Sequence, residues 1–112
     1  MGEILKKTGK VSEAMDHYQR ALAIFTALGN KPEMANCLFN IGDTYMLQNE
    51  YRKAVDYFNQ ALVMDRETNS DWGKAFDYEA LGKVYGRQKK YDESLEYNKK
   101  ALALREKLGQ QL

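Results

Sequence analysis

Leu38-Phe39-Asn40-Ile41-Gly42-Asp43-Thr44-Tyr45 decides the fold, because Tyr78-Glu79-Ala80-Leu81-Gly82-Lys83-Val84-Tyr85 restates its pattern further along the chain. Leu38, Ile41, Gly42 and Tyr45 step by three and four, the spacing of one buried helical face, and Tyr78, Leu81, Gly82 and Tyr85 do the same. Working outward, one constant step relates Gly2 to Gly42 and Gly82, Ala14 to Ala54 and Ser94, Ala21 to Ala61 and Ala101, and Leu22 to Leu62 and Leu102. Self-similarity at a fixed period, here about 40 residues, marks one supersecondary unit repeated along the chain.

Each unit reads as two helices. After the first, Ala54, Tyr57, Phe58, Ala61 and Leu62 continue the helical period on a second, and Leu95, Tyr97, Ala101, Leu102 and Leu104 do so one unit later. Small residues sit where helix axes approach closely, and aromatics fill the gaps between them. Gly29, Asn69 and Gly109 are expected to close helices in the left-handed conformation. Asn30 and Ser70 follow as N-caps, Asn30 pairing with Glu33 in a capping box and Pro32 lying in the tolerant first turn. Gly9, Asn49 and Lys89 are expected to mark a tighter turn inside each unit. The expected architecture is all-α: a solenoid of antiparallel helix pairs in one domain, 1–112, of about two and a half repeats. These comprise an incomplete unit at 1–29 and full units at 30–69 and 70–109.

Composition narrows the function. With 17 Lys and Arg against 16 Asp and Glu, the chain lacks the basic excess that nucleic acid or an anionic membrane demands. The longest apolar run, Ala21–Phe25, falls far short of the roughly 20 residues of a membrane span. Residues 1–6 carry no secretory pattern, and Lys6 stands where myristoylation wants Ser or Thr. Cys37 is the only cysteine and has no internal partner, so the expected location is cytoplasmic. Charge is uneven: Glu33–Asp71 carries a net −4 and Leu81–Leu112 a net +4, which either orients a partner or is ordinary solvated surface.

Leu38-x-x-Ile41-Gly42-x-x-Tyr45 followed by Ala54-x-x-x-Phe58-x-x-Ala61 resembles the tetratricopeptide repeat, with Leu38 in place of the usual first-helix Trp. Tyr78, Leu81, Gly82 and Tyr85 with Ser94 and Ala101 repeat the pattern, and Asn98 departs from its aromatic. The period is longer than the family's usual one of roughly 34 residues, which makes the chain similar to the Pins-type scaffold and kinesin light chain branches. HEAT and armadillo repeats have comparable periods but a different residue order.

The resemblance implies a non-catalytic protein–protein interaction module that binds a peptide or protein segment in a concave groove lined by the first helices. By register, that groove takes Asn36, Phe39, Asn40, Asp43 and Met46, then Phe76, Glu79, Lys83 and Arg87, with Glu3, Lys6 and Lys7 from the first unit. Asn40 either holds a peptide backbone through its amide or bonds a neighbouring helix. Phe39, Phe76 and Met46 either offer apolar pockets or are core. Lys83 and Arg87, four apart, either clamp a carboxylate or face solvent. Phe39 and Asp43 stand where the chaperone-tail clamp of this superfamily has Lys and Asn, so chaperone C-termini are not the expected ligand. A self-associating module is the alternative, a homodimer through Leu104 and Leu108 on a helix with no polar capping helix after it.

No catalysis, metal or cofactor is expected. His17 aligns with Tyr57 and Tyr97 and so reads as a packing position, and one His with one Cys assembles no zinc set. The glycines follow the step of the repeat rather than a phosphate-binding loop.

Overall fold

The computed structural model describes the backbone of residues 2–110 and the side chains of residues 9–109. Five helices follow one another: α1 (Gly2–Leu28), α2 (Lys31–Leu47), α3 (Tyr51–Glu67), α4 (Asp71–Arg87) and α5 (Tyr91–Gln110). Each packs on the next, and α2 also touches α4, the two first helices of successive units. The stack extends 47 × 38 × 24 Å. Its radius of gyration of 15.0 Å exceeds the about 13 Å of a compact domain of this length, as expected of an elongated solenoid.

The four turns are built alike. Gly29, Asn49, Asn69 and Lys89 all have positive φ, between 56° and 67°. The next residue's N–H reaches back five positions, from Asn30, Glu50, Ser70 and Lys90 to the carbonyls of Phe25, Tyr45, Asp65 and Tyr85 at 2.8–2.9 Å. This is the Schellman closure, which satisfies a carbonyl left over at each helix end. Asn30 Oδ1 accepts from the Glu33 N–H at 3.3 Å and Ser70 Oγ from the Gly73 N–H at 3.1 Å, so both expected caps form.

Two expected breaks do not occur. Gly9 lies inside α1 and Gly109 inside α5, and a methyl added at either would meet no neighbour within 4 Å. Gly9 has no positive φ, so the left-handed closure seen at the other turns is not made there. The segment therefore prolongs α1 to 27 residues, against 17 in α2.

Small residues set the spacing within units. A Cβ on Gly42 would stand 2.9 Å from the ring of Phe58, itself fully buried, with the Ala54 carbonyl close behind. In the last unit Gly82 faces Asn98 instead, and Ser94 Oγ donates to the Gly82 carbonyl at 2.7 Å. Stacked tyrosines join the helix pairs in register: Tyr45 with Tyr57, and one unit on Tyr85 with Tyr97, each at 5.5 Å. The core runs through Met46, Ala54, Phe58, Leu62, Ala80, Leu81 and Val84.

Candidate functional site

α2 and α4 meet at one end and part at the other. Toward their C-terminal ends, Met46 and Val84 both belong to the core cluster and close the space. Toward their N-terminal ends a cleft of ≈ 590 Å³ opens, walled by Pro32, Asn36 and Phe39 on one side and Trp72 and Phe76 on the other. Its aromatic lining is accessible: Trp72 is 51% and Phe76 49% exposed. Phe39 links the wall to the core, its ring centroid 5.3 Å from that of Phe58 and 6.5 Å from that of Phe76.

The cleft floor is acidic. Asp65, near the end of α3, and Asp77, on α4, both line it and are buried. Asp65 is close enough to Asp77 to raise the latter's carboxyl. Asp65 presses on the backbone of Gly73 so closely that a Cβ there would collide with its carboxyl. That places Asp65 over the first turn of α4, where free N–H groups favour negative charge. Burial, and then the neighbouring Asp65, push the Asp77 carboxyl up to about 9, so at neutral pH it holds a proton. Asp77 Oδ2 has no hydrogen-bond donor, and neither carboxyl pairs with a Lys or Arg among the described residues.

Of the groove residues expected from register, Asn36, Phe39 and Phe76 meet at this cleft. Asn40, Lys83 and Arg87 are exposed and Asp43 half-buried, and all four stand outside its lining. Met46 is corrected: it is 3% exposed and part of the core, because α4 covers that end of α2. Glu79 is engaged within the fold. Arg105 of α5 forks onto its carboxylate, with Nε to Oε1 and Nη2 to Oε2 at 2.8 Å, holding that carboxyl below its ordinary range. The same guanidinium lies 4.9 Å from the centre of the Phe76 ring. The side chains of Glu3, Lys6 and Lys7 lie outside the described residues.

The expected self-association pair lies partly inside the fold. Leu108 is buried and Leu104 half-buried, because both turn back toward the stack. The apolar surface of α5 is instead Leu95 and Leu102, the latter 58% exposed although its counterpart Leu62 is 4% exposed beneath the next unit. His17 is exposed rather than packed, and Cys37 is buried, its thiol pushed up by burial and by Glu33. Among the described residues no group of three or more His, Cys, Asp or Glu is placed to hold a metal, and no helix is long and apolar enough to cross a membrane.

The register-based groove omits Trp72, Asp65 and Asp77. Asp77 carries a signal: it lies one turn before Leu81 and one unit after Cys37, so it stands on an apolar face where the preceding unit is uncharged. Asp65 likewise occupies the position of Phe25.

Comparison with known proteins agrees with this architecture. Tetratricopeptide repeat family models match residues 1–67 and 78–108. The Tonsoku-like protein of Drosophila melanogaster is 26% identical over 85 residues, which is 76% of this chain and 6% of that protein. Human tetratricopeptide repeat protein 6 is 33% identical over 66 residues, 58% of this chain and 13% of that protein. The chain thus spans only a small part of the curated relatives it matches. The crystal structure of the TPR domain of Arabidopsis FLU superposes with a TM-score of 0.81 at 19% identity, covering 95% of this chain and 89% of that one. Helix pairs repeated at a constant step, glycines pressed against the facing helix and a family match across more than half the sequence converge on one assignment: this chain belongs to the tetratricopeptide repeat family.

Proposed function

We propose that the chain is a non-catalytic protein–protein interaction module, part of a larger scaffold, that holds a peptide or protein segment in the cleft between α2 and α4. The observation that carries this reading is the exposed aromatic wall of Trp72 and Phe76 at a cleft large enough for several side chains. Aromatic side chains left half in water at a concavity offer apolar area that a partner can bury at little entropic cost. The family to which the chain belongs consists generally of interaction modules, which supports the same reading. A cytoplasmic location, with protein rather than nucleic acid as partner, fits the unpaired Cys37 and the balanced charge.

A random peptide library displayed on phage tests the proposal. Wild type is expected to enrich a peptide family, and Trp72→Ala or Phe76→Ala, with helicity intact, to lose it. Asn40→Ala and Lys83→Glu, outside the cleft, leave it in place. Enrichment that survives both aromatic substitutions overturns the cleft as the site.

Leu102 favours a second reading, in which the outward face of α5 stacks on a further unit or a second copy. Leu102→Lys is expected to abolish any concentration-dependent dimer seen by light scattering. A dimer unchanged by that substitution rejects this face.

A further inference from the structure

The cleft floor contains a buried carboxyl pair with no cation to match it. Asp77 is 1% exposed, lines the cleft and has an Oδ2 without a donor, while Asp65 beside it accepts no Lys or Arg among the described residues. Buried charges are ordinarily paired, and a carboxyl pair shut away from water draws positive charge, a proton in the free chain or a cation in a complex. The surrounding segment Glu33–Asp71, with its net −4, adds to the attraction.

We propose that Asp65 and Asp77 seat the side chain of an arginine from the bound segment, with Trp72 and Phe76 flanking its planar face. Guanidinium suits the site better than ammonium, because its fork serves two carboxyl oxygens and its face stacks on aromatic rings. The molecule already uses this chemistry at the same ring. Arg105 lies against Phe76 with its fork on Glu79, so an arginine held between an aromatic face and a carboxylate is a stable arrangement in this fold. The inference rests on the peptide-binding reading above and adds to it the chemistry of one ligand position.

The phage selection separates the two. Peptides enriched on the wild type are expected to share an arginine at one position. A synthetic copy of an enriched peptide, with that arginine replaced by citrulline, should bind at least about tenfold more weakly, the scale of losing a buried charge-assisted pair. Asp65→Asn and Asp77→Asn, each isosteric and checked for native circular dichroism, should abolish the preference for arginine over citrulline while Trp72-dependent binding persists. Enriched peptides without a common arginine, or equal binding of arginine and citrulline forms, overturn the arginine seat and leave the module intact. So does a preference unchanged in both variants. Enrichment that ignores Trp72→Ala and Phe76→Ala instead sinks the cleft, and the arginine seat with it.

Discussion

The two junctions between successive units occupy the same register and are filled with opposite chemistry. Where α1 meets α2, the sequence places Phe25 and Cys37; where α3 meets α4, the equivalent positions hold Asp65 and Asp77. Phe25 is half-buried and Cys37 buried with its thiol pushed up, so neither of these positions in the first junction carries a charge. The second holds two buried carboxyls that line an open aromatic cleft. The backbone is common to both, down to the Schellman bonds from Asn30 to Phe25 and from Ser70 to Asp65. A repeat fold therefore fixes where side chains meet and leaves their chemistry free, and the polar junction is the one beside the cleft.

The sharpest contrast between the junctions is their response to pH. An unfolded aspartate titrates near 3.8, whereas burial and Asp65 raise folded Asp77 to about 9. Below the lower value both states hold the proton, so its contribution to stability is fully present there. Between the two values only the folded chain holds it, and stability falls as pH rises, by at most about 1.4 kcal/mol per pH unit. Urea unfolding at pH 5 and pH 8 should show wild type losing stability across the interval and Asp77→Asn flattening the decline. Cys37→Ser at the apolar junction should leave the slope as it is, and an equal effect from both variants would erase the distinction.

Steric closure comes next in size. Gly73→Ala forces a methyl into the Asp65 carboxyl and should cost about 1–3 kcal/mol, reversing the gain that Gly→Ala normally brings inside a helix. A raised melting temperature in that variant would mean that Asp65 is free to move aside. The turns give smaller effects. Gly29→Ala, at φ 67°, should cost about 1 kcal/mol. Asn69→Gly at the second junction should change stability by no more than roughly 0.5 kcal/mol, since asparagine already tolerates its φ of 56°. Thermal unfolding of the two variants side by side checks whether the turns, unlike the side chains above them, are interchangeable.

Much of the fold was legible because it is local. The constant repeat step, the three-and-four spacing around Gly42 and Gly82, the caps at Asn30 and Ser70 and three of the four left-handed turn residues (Asn49, Asn69 and Gly29) follow from side-chain shape and backbone sterics within a few residues. Lys89 joined them by register alone, a lysine held in a conformation that its Cβ resists. Gly9 keeps the register of Asn49 and Lys89, and Gly109 that of Gly29 and Asn69, yet both lie inside helices.

Sequence by itself determined the helix pairs, their period and the family they belong to, since helical periodicity and helix-end chemistry act over one or two turns. Only the tertiary structure decided which part of each face is covered. α4 buries Met46 and leaves Phe39 at a cleft, Leu102 is bare where Leu62 is covered, and Arg105 reaches Glu79 across 26 residues. It also brought Asp65 and Asp77 together from different helices. Periodicity specifies the direction of a side chain from its own axis; what it meets there is set by how far neighbouring helices splay, which depends on side chains from several units at once.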